Sequence, residues 1–485
     1  MQESEKFVSD IGITFIANVI NMILIFIISI YVGRYLGAEN LGLYGLSSTI
    51  FTITMLFAAI GIPGAIIKYI AEFKENEEKF NQVISSGLII SLISGIFFLV
   101  LFFFLSTLLA RIFNMPELSS LLKVLSFAFP FLLIANSLLG LLNGLREMKK
   151  YSVAMIFQSI LKLVIAVPLI YSGFGVMGAI IGIVTSEIGY CFLLIWISRI
   201  YFKINLHAIV PTIKMILFFG IKKVETNAVN LINTQTDTIL VGYFLSATYL
   251  GFYSVALRLS KFFWLIPQTI QVITYPATSE YWAKNDQRTI HKMYDKSMKY
   301  TACLLFPIGL GIGFFGKDII MFIFGEEFIP AFRPLLFLLI GTVIAGATTQ
   351  SVGASMPAIG RPGLSLRVTI VSASINLCLN LLLIPSIGIS GAAIATMISL
   401  IVHSILMLYL IKIKIFVKID IMWYLKLILI TIVSIILYLS LDKINHFMGG
   451  GIVICIFLAV IWFYFLTKED KMFFFSLIKK NKIFR

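Results

Sequence analysis

Long apolar runs, broken by short charged or Gly/Pro-marked gaps, follow one another from residue 11 to residue 466. A helix needs ~20 such residues to cross hydrocarbon, because lipid offers no partner to an unpaired peptide group. On that measure fourteen runs predict spans, at 11–31, 43–67, 83–105, 119–143, 151–170, 176–197, 218–243, 252–277, 300–315, 330–353, 363–384, 392–410, 421–440 and 451–466. The expected fold is all-α and polytopic, with about 14 transmembrane helices. No small-residue cleavage site follows the first run, which therefore reads as a retained helix and not a signal peptide.

Composition agrees with the pattern. Hydrophobic residues make up 59% of the chain and charged residues 13%, and mean hydropathy is +1.00. A soluble protein holds about 45–50% apolar and roughly 25% charged residues, so this chain cannot cover a wetted surface. Cys191, Cys303, Cys378 and Cys455 lie 75 or more residues apart, each within an apolar run. That spacing gives neither a disulfide framework nor a metal site. No cofactor and no catalytic residue is expected.

Charge sets the orientation. With the N-terminus inside, segments facing the cytoplasm carry twenty-five Lys/Arg, and those facing outward carry four: Arg34, Arg111, Lys317 and Lys443. This asymmetry predicts a plasma-membrane protein with both termini cytoplasmic. It also accounts for the net charge of +15 without nucleic acid; the tail "KKNKIFR" suits anionic headgroups.

The charges left inside the spans are more informative. Lys123, Arg333, Arg367 and Lys426 lie within about two turns of a span end and can snorkel to the interface. The deeper ones need partners or water. Lys162 and Glu187 are each halfway along consecutive spans, which predicts an ion pair. Asp237 and Arg258 are level with each other near the outer ends of theirs, a second expected pair. Lys261, nearly a turn deeper, has no acid at its height and is expected to await an anion in a watery cavity.

The chain also repeats itself. "YVGRYLGAENLGLYG" (31–45) returns as "LVGYFLSATYLGFYS" (240–254), a shift of 209 residues. Asn18 and Asn21 precede Asn227 and Asn230 by the same 209, and "GVMGA" (175–179) returns as "GISGA" (388–392). Six crossings separate the copies. An even number makes them parallel repeats about an axis along the membrane normal. The expected organisation is two six-helix bundles, 1–208 and 209–416, followed by two helices and a basic tail over 417–485. The repeated "LGxY" reads as a tight outer connection, where Gly and small residues let the chain turn and the hairpin pack closely.

In the seventh span Lys223, Asn227, Asn230, Thr234 and Asp237 are spaced by 4, 3, 4 and 3 residues, which places them on one helix face. The eighth adds Ser254, Arg258, Lys261 and Gln268 on a looser stripe, with Pro267 and Pro276 expected to kink it. The first keeps Thr14, Asn18 and Asn21 before turning apolar. Polar faces inside membrane helices mark a packed polar interface or a hydrated path; a wet, net-cationic cleft between the bundles is the expectation.

These residues resemble the prokaryotic polysaccharide transporters, lipid-linked oligosaccharide flippases of the multidrug/oligosaccharidyl-lipid/polysaccharide exporter superfamily. The resemblance lies in "VGRYLGAENLGLYGL", "GIPGAIIKYIAEF", "NLINTQTDTILVGYFLSATYLGFYSVALRL", "IPQTIQVITYPATSEYW" and "AIGRPGLSLRVTIVSASINLCLNLLLIP". It implies two bundles in the V of a multidrug-extrusion transporter, with spans 1, 2, 7 and 8 lining a central cavity. It further implies a polyprenyl-diphosphate glycan as cargo, with Lys223, Arg258 and Lys261 placed to meet the diphosphate. Membrane lipids, and membrane glycosyltransferases beside which such flippases work, are the implied partners; a coupling ion is left open. The first span has no acid beyond Asp10 at its start, unlike many drug exporters of that superfamily. A cation-coupled drug antiporter is the nearer alternative. A polytopic glycan polymerase is the further one, disfavoured because the outward segments are short and the adjacent Glu326 and Glu327 read as a solvated turn.

Overall fold

The computed structural model describes residues 2–442 and 445–472; the side chains of residues 2–9, 11, 222, 223, 225–227, 230, 232 and 233 lie outside the description. Among the described residues the protein is helical, without strands. In chain order the helices are α1 (Gln2–Ala59), α2 (Ile62–Glu72), α3 (Glu77–Ile112), α4 (Pro116–Ser126), α5 (Ala128–Gly144), α6 (Met148–Leu169) and α7 (Gly175–Ser198). There follow α8 (Ile209–Phe244), α9 (Ala247–Lys261), α10 (Leu265–Ala283), α11 (Gln287–Phe324), α12 (Phe332–Thr348) and the short α13 (Ser355–Ala358). The last four are α14 (Pro362–Ile387), α15 (Ile389–Lys414), α16 (Ile421–Leu441) and α17 (His446–Val460).

Nine helical stretches among the described residues are long and apolar enough to cross a membrane, or ten if the pair α4–α5, bent by 46°, is one span. The protein is a multi-pass membrane protein. Two of the nine are too long for one crossing. Gly12–Ala59 has 48 residues, which at ~1.5 Å per residue is more than twice the hydrocarbon thickness. It breaks at Gly37 (φ 85°, ψ 179°), a conformation that glycine adopts without a Cβ clash. Met148–Ser198 breaks where Gly173 and Gly175 take positive φ. With these divided, and α8 and α9–α10 added, the elements are compatible with the fourteen expected crossings.

The break at Gly37 corrects the reading of the repeat. Leu41, Gly42 and Tyr44 lie beyond it, within helix, so the "LGxY" glycine does not make the turn. The corresponding break in the second copy falls at Leu245–Ser246, again before the motif. In the eighth span a short 3-10 turn, Phe262–Trp264, joins α9 to α10 just ahead of Pro267, and Pro276 lies inside α10.

The chain forms two compact units. The first comprises Met1–Val255, Ile323–Glu327 and Leu377–Ala392; the second comprises Ala256–Phe322, Phe328–Asn376 and Ala393–Arg485. The first has a core of Ile66, Ile70, Ile84, Leu138, Leu141 and Tyr190 from α2, α3, α5 and α7. Close helix approach there depends on glycine: a Cβ on Gly95 would stand 2.5 Å from the Pro130 Cα, and one on Gly182 2.7 Å from the Ala166 Cβ. The second unit buries Ile290, Tyr294, Met298, Met356, Met407 and Ile411. Its helix α11 starts on the Asp286 carboxylate, which accepts from the Thr289 N–H at 3.0 Å and the Thr289 hydroxyl at 2.6 Å. Those two bonds hold the Asp286 carboxyl below its usual range.

Candidate functional site

In the first unit the sequence-derived polar residues fall into two groups. One gathers on α6, which presents Gln158, Ser159 and Lys162. Glu187 of α7, 3% exposed, accepts from Gln158 Nε2 at 2.8 and 2.7 Å and stands 3.8 Å from Lys162 Nζ. A carboxylate this deep in a span needs both charge and hydrogen bonds to compensate lost water, and α6 supplies both. Asn21 of α1 joins the group, its amide oxygen accepting from the Ser159 hydroxyl at 2.6 Å. Asn18, by contrast, is exposed.

The other group centres on α8. Asp237, 4% exposed, accepts from the Tyr253 phenol at 2.9 Å and from Asn380 Nδ2 at 2.8 Å. Thr234, one turn earlier, is exposed, and its hydroxyl donates to the Leu231 carbonyl at 3.1 Å. Lys223, Asn227 and Asn230 lie on α8, but their side chains are outside the described residues. Among the described residues no group of three or more His, Cys, Asp or Glu is arranged for a metal ion.

Sequence reasoning missed Gln158, Tyr253 and Asn380. Tyr253 was visible as the tyrosine of the repeated motif, the counterpart of Tyr44; Gln158 and Asn380 carry no periodic or charge signal in the sequence.

The remaining residues belong to the second unit, on the helix that runs from α9 through α10. Arg258 is half-buried, and Lys261 and Gln268 are exposed. Arg258 and Lys261 both interact with neighbouring groups, so neither stands as an isolated charge.

The chain after Gly37 runs antiparallel along α8. Leu46 packs on Gly242, where a Cβ would stand 3.1 Å from Leu46 Cδ1. The Thr49 hydroxyl donates to Gln235 Oε1 at 3.4 Å. Farther on, at Ile60 (φ 47°) and Gly61 (φ 67°), it meets Gly220: a Cβ on Gly220 would overlap the Ile60 carbonyl oxygen, and one on Gly61 the Gly220 carbonyl oxygen.

Comparison with known proteins places this geometry among its relatives. The family described as polysaccharide biosynthesis protein matches residues 14–333. Two Haloferax volcanii proteins are similar over most of the chain. "Probable low-salt glycan biosynthesis flippase Agl15" is 26% identical over 424 residues, 81% of this chain and 80% of that one. "Probable flippase AglR" is 26% identical over 409 residues, 81% of each. Among solved structures, that of the lipid II flippase MurJ in an inward closed conformation superposes with a TM-score of 0.77 at 17% identity, covering 94% of this chain and 99% of that chain. The structural likeness establishes the shared fold.

Proposed function

The chain belongs to the polysaccharide biosynthesis protein family, and from that premise we propose that it is a flippase, carrying a polyprenyl-diphosphate-linked glycan from the inner to the outer leaflet for assembly of a surface polysaccharide or glycoconjugate. The observation that carries this reading is the family match over residues 14–333, with two relatives named as probable flippases, one of them for glycan biosynthesis, aligned over four fifths of the chain. A lipid diphosphate does not cross hydrocarbon unaided, since its charges and sugar hydroxyls would lose their water. A transporter meets that cost with a polar path, and no bond need be made or broken.

In this proposal the path lies between the two repeats, 1–208 and 209–416, which open it alternately to each side. Residues 417–485 add two helices and a basic tail. Lys223, Arg258 and Lys261 bind the diphosphate. Asn18, Asn227, Asn230, Thr234 and Gln268 hydrogen-bond the sugars, while the lipid tail stays in the membrane. Asn21 contributes less, since Ser159 already engages its amide oxygen. Asp237 balances Arg258. The protein sits in the plasma membrane with both termini in the cytoplasm, as the Lys/Arg asymmetry of its loops indicates, and works beside membrane glycosyltransferases that supply its cargo.

Flipping of a fluorescent lipid-linked oligosaccharide in proteoliposomes tests the assignment. Arg258→Ala and Lys261→Ala are each expected to lower the rate at least ~tenfold, the equivalent of ~1.4 kcal/mol of anion binding. Unchanged rates in both would remove the anion site.

A further inference from the structure

The two copies of the repeated stretch touch each other. Ala38, Gly42 and Gly45 follow the Gly37 break at positions i, i+4 and i+7; Ala247, Gly251 and Ser254 have the same spacing on α9. Each triplet thus lies along one helix face. The faces meet reciprocally. A Cβ on Gly42 would overlap the Ala247 carbonyl oxygen and stand 3.0 Å from the Gly251 nitrogen. A Cβ on Gly251 would overlap the Ala38 carbonyl oxygen and stand 2.7 Å from its carbon. A Cβ on Gly45 would be 3.0 Å from Ser254 Oγ. Gly42–Gly251 and Gly45–Ser254 join positions related by the shift of 209, and Gly42 meets the counterpart of Ala38 while the counterpart of Gly42 meets Ala38; this is how a two-fold relation presents itself, one copy's i meeting the other's j and its j the other's i.

A second contact converges on the same peptide. The Ala38 N–H, released by the Gly37 break, donates to Glu327 Oε1 at 3.1 Å, and Arg34 Nη1 donates to the Ile323 carbonyl at 3.4 Å. Residues 323–327, the last two of α11 and the three that follow it, group with the first unit, whereas the rest of α11 groups with the second. Glu326 and Glu327 are exposed in a 3-10 turn, as the sequence suggested, and Glu327 adds to that turn a contact with the Ala38 peptide.

We propose that this reciprocal contact is the outer seal of the transport path, fastened by Glu327 and parted to release cargo. The proposal rests on the flippase reading and on the orientation given with it. For parallel repeats the pseudo-two-fold axis runs along the membrane normal, and a path between the repeats runs along that axis. Reciprocal contacts can form only about the axis, so contact there closes the path. Small residues suit a contact that must come apart: they bring two backbones together without interlocked side chains that would have to change rotamer.

The test uses the full chain with its four natural cysteines replaced by serine and the pair Gly45→Cys/Ser254→Cys introduced. A Cβ on Gly45 would lie 4.0 Å from the Ser254 Cβ, within the ~3.5–4.5 Å that a disulfide spans. Oxidation with copper phenanthroline is expected to link the pair, seen as a linked peptide by mass spectrometry. Flipping should then fall at least tenfold and recover on reduction, while each single-cysteine variant keeps its transport. Failure to link, or linkage with undiminished flipping, overturns the seal. Labelling of the single Ser254→Cys by a membrane-impermeant maleimide added outside is the independent reading: slow in the parent chain, two- to fivefold faster when Glu327→Gln is added. Equal labelling rates overturn the seal. If the parent chain flips no lipid-linked glycan, the functional reading fails, and the labelling comparison still decides whether these helices close and part.

Discussion

The helix that follows Gly37 meets the second repeat at two ends, and the two contacts are built differently. At Ala38–Gly45 the contact is reciprocal: each small residue has a counterpart 209 positions on, and both copies contribute the same surface. At Ile60–Gly61 it is one-sided. Gly220 is met by a break in the helix, yet the residue 209 positions beyond Gly61 is Ile270, with no glycine to repeat the arrangement. Neither Gly42 nor Gly251 has a positive φ, whereas Ile60 and Gly61 both do. A β-branched residue in the left-handed region is strained, by an amount on the order of 1–3 kcal/mol. The first contact is thus made by helical backbone, and the second by backbone in the left-handed region.

That contrast can be broken in three ways. The largest effect is expected from Gly42→Val and Gly251→Val. Each puts a branched side chain into a backbone contact, and overpacking costs ~1–3 kcal/mol, enough to deplete the closed state about fivefold or more. The two should lower flipping in proteoliposomes by similar factors, because they are symmetric partners; a large loss in one with none in the other would end the claim of reciprocity. Smaller is the difference between Gly61→Ala and Gly220→Ala. Both meet a carbonyl oxygen, but only Gly61 also carries φ 67°, so Gly61→Ala should destabilise the detergent-solubilised protein by about 1 kcal/mol more in chemical unfolding. Equal losses would place the strain elsewhere. The smallest is Glu327→Gln, which keeps the hydrogen bond to Ala38 but removes an anion from a helix start, worth ~0.3–1 kcal/mol. It should shift the apparent opening equilibrium two- to fivefold, read from outside labelling of Ser254→Cys.

Much of the architecture was legible in the sequence because membrane spans write themselves as long apolar runs, and the repeat was legible because identical residues recurred at one offset. What the repeat does was not legible. Gly42 reads equally as a turn or as a close contact; only the position of the break, five residues earlier at Gly37, separates the two. Glu327 next to Glu326 looks like any polar loop, and its role depends on a peptide 289 positions away in the chain. Depth along the spans did suggest Lys162 with Glu187, since both are charged and consecutive antiparallel helices share a height. Depth could not reveal that Gln158 makes the shorter bonds to that carboxylate, because an amide costs too little in lipid to stand out. On the cationic helix, Arg258 and Lys261 were marked by charge alone, which gives a residue's presence in the span without its neighbours.

Residues 323–327 also have a mechanical meaning. Phe324 ends α11, and Glu327, three residues on, accepts the Ala38 N–H. Three residues reach at most about 10 Å when fully extended, so the tether between the helix tip and that peptide is short, and Ala38 stays on a short leash to the end of α11.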